Sequence, residues 1–339
     1  MTYRTFRNPD PPHLLRVWNA AMTGRSAAFL QGTPQLELFV FSKPYFDRRG
    51  LFLAEDAGQV VGFAHAGFGP DEAGGRLDYS KGVVCLIVVH PKYQRLGIGT
   101  QLLHLAEDYL RAKGATEIYA GGSRPLNPFY WGLYGGSELP GLLLSDAGAD
   151  FFFQAHGYEL WESSLVFQRQ LNGAVHVSDS RISSIKRKYE VRVMPRPVSQ
   201  RWFDECTYAP LEILHFQIQE TATGMPVGHA RMWDMDPFAW RWHQPSAGII
   251  DVVISPKHRR LGLGKFLVFQ VLRYIQEQFY ALVEVQCSAS NEVAVNLYNK
   301  LGFRQVDEGR VYRLVNTEPE PQAVVAASQP PGAKPATQR

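Results

Sequence analysis

The stretch Asp251-Val252-Val253-Ile254-Ser255-Pro256-Lys257-His258-Arg259-Arg260-Leu261-Gly262-Leu263-Gly264-Lys265 decides how this chain is read. It opens with the apolar run of a strand, passes through a basic turn punctuated by glycine, and enters a helix. The helix announces itself by apolar residues at helical spacing: Leu263, Leu267, Val271, Tyr274 and Ile275. A β-rich run over 281–287 follows, and a second helical segment begins at Asn291 and stops at Gly302.

Strand, glycine turn and helix together make a holder for phosphate. The amides of a helix's first turn have no partner inside the helix and carry partial positive charge, so an anion is stable there. Glycine lets the backbone come close and turn sharply, and Arg259, Arg260 and Lys265 add charge. The nucleoside-triphosphate loop Gly-x-x-x-x-Gly-Lys-[Ser/Thr] does not fit. The dinucleotide fingerprint lacks its third glycine, where Leu267 stands.

The pattern that fits is V-x-P-x-x-[Q/R]-x-x-G-x-[G/A], read at Ile254, Pro256, Arg259, Gly262 and Gly264. It resembles the acyl-CoA pyrophosphate loop of the GNAT superfamily of N-acyltransferases. Downstream, Asn291, Ala294, Tyr298, Gly302 and Phe303 match that superfamily's N-x-x-A-x-x-x-Y-x-x-x-G-F signature at every defined position. An N-capped amphipathic helix with a glycine stop describes the same residues. It does not explain why Tyr298 falls at the family's catalytic position.

The loop occurs twice. Seven of the twelve residues in 88–99 are identical to those in 253–264, at a constant offset of 165 positions. The chain therefore reads as an internal duplication: an N-terminal GNAT-like domain (1–172), a polar, Ser-rich and basic linker (173–188), a C-terminal GNAT domain (189–316) and a disordered tail rich in Ala, Pro and Gln (317–339). The copies differ after the loop. Sixty positions separate Gly97 from Gly157, and forty separate Gly262 from Gly302. The first copy thus carries about 20 extra residues within 122–145, either an irregular packed loop or a wall of a ligand pocket. Its second motif is degenerate, with Phe153 where the other copy has Tyr298. Residues 161–170 read as the last strand of the first copy.

Composition limits the alternatives. The 339 residues are 45% hydrophobic, enough for two cores, and a net charge of +3 is too small to argue for nucleic acid. No apolar run reaches membrane-spanning length, and the N-terminus lacks an apolar signal core. Cys85, Cys206 and Cys287 are few, odd in number and dispersed. This predicts a reducing, cytoplasmic setting. The ten histidines form no metal-ligand pattern, and no metal is expected.

What the resemblance implies is an α/β (α+β) fold of two tandem GNAT-like domains, each a mixed, mostly antiparallel central sheet flanked by helices, with acetyl-CoA as cosubstrate. The pantetheine arm would pair with Val252, Val253 and Ile254. The pyrophosphate would meet the amides of Arg259, Arg260, Leu261, Gly262, Leu263, Gly264 and Lys265, and Asn291 belongs to the same implied site. The first copy's counterparts are Val88, Val89, Gln94, Arg95, Gly97, Ile98, Gly99 and Thr100. An amine of a small molecule would attack the acetyl group directly, with Tyr298 as acid for the departing thiolate.

The base is less defined. Relatives commonly carry a Glu six residues before the loop motif, and Gly248 stands there. Asp251 is the candidate on the strand, with a water chain, the neighbouring domain or His243 as the others. The tandem arrangement also resembles that of mycothiol synthases, in which the C-terminal copy is active. By that analogy catalysis falls in the second copy, although the missing Glu argues against mycothiol synthesis itself. Trp233, Phe238, Trp240 and Trp242 would line an acceptor pocket or pack between the domains. Two other readings stay open: an acyl-CoA-binding sensor without turnover, and a protein or peptide N-acetyltransferase. The protein is expected to be a monomer or homodimer without membrane or nucleic-acid partners.

Overall fold

The computed structural model describes residues 1–25, 27–146, 148–173 and 180–315, so the tail over 317–339 and part of the linker lie outside the described residues. The first half runs β1 (Thr2–Thr5), α1 (Pro11–Ala21), α2 (Thr33–Leu36), β2 (Leu51–Asp56), β3 (Gln59–Pro70), β4 (Leu77–Val89), α3 (Ile98–Ala112), β5 (Glu117–Ala120), β6 (Leu142–Leu143), α4 (Ala149–Ala155) and β7 (Tyr158–Gln170). After α5 (Ile182–Lys188), the second half runs β8 (Tyr189–Pro195), α6 (Trp202–Tyr208), β9 (Ile213–Glu220), β10 (Pro226–Asp234), α7 (Asp236–Trp242), β11 (Ser246–Ile254), α8 (Leu263–Glu277), β12 (Leu282–Ser288), α9 (Glu292–Lys300) and β13 (Arg304–Leu314).

The elements form where the sequence places them. Helix α1 starts on two prolines, whose missing N–H groups a first turn does not need, and it buries Leu14, Val17 and Trp18 on one stripe. Helix α8 buries Leu263, Phe266, Leu267, Val271, Leu272 and Ile275.

All strands join one mixed sheet of order β1-β2-β3-β4-β5-β13-β7-β12-β11-β10-β9-β8, with β6 added beside β13. The β4/β5 and β11/β12 pairs are parallel, and the other pairings are antiparallel. The order is palindromic about the β13/β7 pair, and the final strand of each half lies beyond the centre. Strand β13 pairs with β5, through Tyr312 opposite Ala120. Strand β7 pairs with β12, through Phe167 opposite Val285. The reading of 161–170 as closing the first copy's own sheet is therefore corrected: both neighbours of β7 come from the second half. Alternation and β-propensity specify that a strand forms, not which edge it joins.

The halves also differ in what covers them. Between the first two strands lie residues 6–50 in the first half but only 196–212 in the second. Helix α1 and its neighbours bury Val88 to 2% exposure in the first half, whereas its counterpart Val253 is 44% exposed. The exposure is local to the end of β11, since Ile250 is 1% exposed and packs in the same buried cluster as Val88.

Candidate active site between the two halves

Both glycine turns have the same local build. In the second copy the Arg259 side chain donates to the Ile254 carbonyl at 3.1 Å. In the first, Gln94 donates to the Val89 carbonyl at 3.0 Å. The variable Gln/Arg position thus closes the loop onto the end of its strand. Arg260 and Gly262 then take φ of 63° and 85°, and Arg95 and Gly97 take 64° and 77°. These left-handed residues turn the following amides one way. The first intrahelical bonds are those of Phe266 to Gly262 at 3.0 Å and Gln101 to Gly97 at 3.1 Å. The amides of 263–265 and 98–100 therefore precede the helical ladder, in the geometry an anion needs.

The surroundings differ. A Cβ on Gly97 would meet nothing within 4 Å, whereas one on Gly262 would lie 3.3 Å from the Arg181 guanidinium carbon and 3.4 Å from Ile185. The basic run read as a solvated linker ends in α5, which buries Ile185 in the apolar cluster of α8 and sets Arg181 over the second loop.

Parallel pairing of β11 with β12 ends at Ile249 opposite Val285, although β11 continues to Ile254 and β12 to Ser288. The strands part there and leave one edge of β11 facing a gap. Opposite the parting, β11 carries a bulge: Arg231 pairs with Ile250 and His229 with Val253, and Asp251 sits at φ 51°. In the first half the parallel pairing ends at Val84 opposite Ala120.

Tyr298 stands at this gap. Asn291 caps its helix by accepting from the Ala294 amide at 3.1 Å, and the ring packs on Phe167 and Phe303. Burial, then Cys287 and Glu138, hold the phenol well above its ordinary pKa. It is a protonated donor at neutral pH. Phe153, the first-copy counterpart, is packed between Tyr158 and Tyr312 and has no proton to give.

The 122–145 insertion does not stay with its own half. Ser137 N donates to the fully buried Glu284 carboxylate at 2.7 Å. The indoles of Trp131 and Trp233 both donate to the Ser137 carbonyl, at 2.9 and 3.0 Å. Gln286 of β12 donates to the Gly135 carbonyl at 2.8 Å. Gly136 has φ 98°, and a Cβ there would lie 1.9 Å from Glu284, so only glycine lets the loop approach. The loop thereby brings Arg124 and Glu138 against Asp251. Arg124 meets Asp251 at 2.7 Å and Glu138 at 3.5 Å, and Arg231 meets the other Asp251 oxygen at 2.8 Å. Tyr208 bonds to Asp251 at 3.2 Å and to Arg124.

The pKa shifts follow from this geometry. Burial alone would raise the Asp251 carboxyl, but Arg124 and Arg231 outweigh it and hold it below the usual range. Burial pushes Glu138 up to about 7, with Arg124 pulling down and the Asp251 charge pushing up. Cys287 is pushed up to about 11 by burial, with Glu138 adding to the shift.

The acetyltransferase (GNAT) family model matches residues 16–135 and again residues 182–303. The chain belongs to the GNAT family of acetyltransferases. It is an N-acetyltransferase of tandem build, and acetyl-CoA is its cosubstrate. The chain is 25% identical over 262 residues to a mycothiol acetyltransferase of Saccharomonospora viridis, covering 74% of this chain and 78% of that protein. A shorter match, 26% over 155 residues, covers 43% of this chain and 60% of the mouse alpha/beta-tubulin-N-acetyltransferase 9. In fold it is similar to a tandem GNAT protein from the clavulanic acid biosynthesis pathway, with a TM-score of 0.66 at 17% identity over 92% of this chain and 97% of that one. It is also similar to a GCN5-related N-acetyltransferase from Sphaerobacter thermophilus, with a TM-score of 0.62 at 15% identity over 92% and 94%.

In this acetyltransferase the donors and charges around the second loop suit the pyrophosphate, and the free β11 edge suits an extended amide chain. Sequence reasoning missed Arg124 and Glu138. A signal was present: they are the only charged residues in 122–145. Of the aromatic group, Trp240 is 58% exposed on α7, and the other three pack inward rather than line a pocket. Trp233 and Phe238 are fully buried, and Trp242 donates to the Arg25 carbonyl at 3.3 Å. His243 is exposed at the end of α7 with φ 55°. A cleft of about 640 Å³ between Asp71, Arg76, Tyr79 and Trp202 holds none of the motif residues. Among the described residues no helix is long and apolar enough to cross a membrane.

Proposed function

We propose that the second half is the catalytic one and moves the acetyl group of acetyl-CoA to the primary amine of a small molecule. The observation that carries this is the pair Tyr298 and Phe153: one gap has a buried phenol beside it, and the other has a ring without a proton. The pantetheine runs along Val252, Val253 and Ile254, and the pyrophosphate lies on the amides between Arg259 and Lys265. The amine nitrogen attacks the acetyl carbon, the C–S bond breaks, and the sulfur takes the Tyr298 proton. Asp251, between two guanidinium groups, anchors Arg124 and Arg231 rather than taking a proton. A small acceptor is favoured because the insertion closes one side of the gap from the other half, where a peptide would need an open groove.

The test is release of free CoA thiol from acetyl-CoA with libraries of metabolite amines and of peptides, using wild type and Tyr298→Phe. Turnover with amines that is lost in the variant is the expected result. Turnover confined to peptides would overturn the small-molecule reading. Full activity of the variant would overturn the role of Tyr298.

A further inference from the structure

We propose that Glu138, carried across from the first half, takes the proton from the acceptor ammonium in the active centre of the second half. The inference rests on the acetyl-transfer reading above and supplies the base that reading lacks.

At Gly248 the β11 strand has no room for a carboxylate. A Cβ on Gly248 would lie 2.6 Å from the Trp233 indole nitrogen, 3.0 Å from Met235 sulfur and 3.0 Å from Ser137 Cβ. The residue that closes this place, Ser137, is the immediate neighbour of Glu138. The insertion thus removes one position for a carboxylate and brings another beside it. The loop is held at its backbone by Glu284, Trp131, Trp233 and Gln286, and Gln286 also reaches the Glu138 carbonyl at 3.3 Å. None of these contacts uses the Glu138 carboxylate, which keeps 22% exposure.

The charged and titratable groups around it come from six elements. Arg124 lies on the same insertion, Asp251 on β11, Arg231 on β10, Tyr208 on α6, Cys287 and Glu284 on β12 and Tyr298 on α9. Arg124 and Arg231 are both engaged by Asp251, so two guanidinium charges share one carboxylate there. Glu138 shares Arg124 only at 3.5 Å. Its charge is close enough to Tyr298 and Cys287 to raise both. A carboxyl lifted to about 7 is matched to proton transfer near neutral pH, unlike Asp251, which is held low.

The step balances as follows. The ammonium gives one proton to Glu138, and the freed lone pair forms the C–N bond at the acetyl carbon. The C–S bond breaks and sulfur takes the Tyr298 proton. The nitrogen gives a second proton back to the Tyr298 oxygen, and Glu138 releases its proton to solvent. The products are the N-acetyl amine, free CoA thiol and one proton.

The experiment compares wild type, Glu138→Gln and Glu138→Asp on two probes: ethanolamine, whose amine is mostly protonated at neutral pH, and methoxyamine, which is not. The expected result is a loss of about 100-fold or more in kcat/KM for ethanolamine in Glu138→Gln. The wild-type rise in rate through pH 7 disappears, the loss for methoxyamine is much smaller, and Glu138→Asp recovers part of the activity. Infrared titration of the acetyl-CoA complex adds an arm that needs no acceptor: a protonated carboxyl band fading near pH 7 in wild type and missing in Glu138→Gln. Equal losses on both amines, wild-type rates in Glu138→Gln, or no such band would each overturn the inference while leaving acetyl transfer intact. Acetyl-CoA binding without transfer to any amine by the wild type would overturn the parent reading and this inference with it.

Discussion

Arg124 of the first half binds Asp251 of the second at 2.7 Å, across the point where β11 and β12 part. A charge from one copy therefore sits on the bulge of the other copy's β11. Removing it in Arg124→Met leaves Asp251 with Arg231 alone and Glu138 with no cation. Because Arg124 lowers the Glu138 pKa, its loss moves the rising limb of the pH–rate profile above 7. Thermal unfolding should show a loss of about 1–3 kcal/mol from the weakened charge cluster. An unchanged profile would disconnect Arg124 from the reaction.

Tyr298→Phe should fold as wild type does, because the first half already buries Phe153 at the corresponding place, 4% exposed. Its kcat should fall by about 10²–10⁴, with acetyl-CoA affinity by calorimetry unchanged. A parallel loss of affinity would mean the hydroxyl binds CoA rather than protonating sulfur.

Gly262→Glu and Gly97→Glu place a carboxylate in equivalent loops. The first should abolish acetyl transfer by repelling the pyrophosphate. The second should leave turnover unchanged, since Phe153 removes the acid from that half. Arg181→Ala should raise KM for acetyl-CoA with little change in kcat, an effect that shrinks as salt rises. Loss of turnover in Gly97→Glu would assign the first loop a part in the reaction.

Splitting the chain into 1–172 and 173–339 should give two insoluble fragments that become soluble together. Alone, each half leaves β5 or β12 without its outer partner and its own last strand without a sheet, an exposed edge that invites aggregation. Size-exclusion chromatography after separate and joint expression decides. A monodisperse, folded single half would mean that each half can take back its own strand.

The Glu138 carboxyl also makes stability depend on pH. Its folded pKa is raised from 4.5 to about 7, so between those values the folded state holds a proton that the unfolded state has lost. Stability from this group therefore falls as pH rises through that window. Glu138→Gln should melt higher than wild type at pH 8, by up to about 3 kcal/mol in stability, and about equally at pH 4. A lower melting point at pH 8 would mean that the carboxylate stabilises the fold.

Much of this was readable from the chain. The two loops, the Asn291 cap and the helices between them follow from residues acting on near neighbours. Gln94 and Arg259 reach carbonyls five residues back, and Gly97 and Gly262 take the left-handed turn their positions need. The absence of a Glu at 248 was also legible, but read as a simple lack. Only the fold shows the position closed by Ser137, whose carbonyl accepts from both Trp131 and Trp233.

The sequence by itself determined the duplication, the family, the glycine turns and the difference between Tyr298 and Phe153. Each of these depends on residue identity at short spacing. The tertiary structure alone decided that β7 and β13 exchange sheets, that α5 sets Arg181 over Gly262, and that the insertion delivers Arg124 and Glu138 into the opposite half. Those outcomes turn on which free edge a strand meets and which gap a loop enters. Such choices are settled by burial and hydrogen bonding between residues far apart in the chain, where no local pattern carries the information.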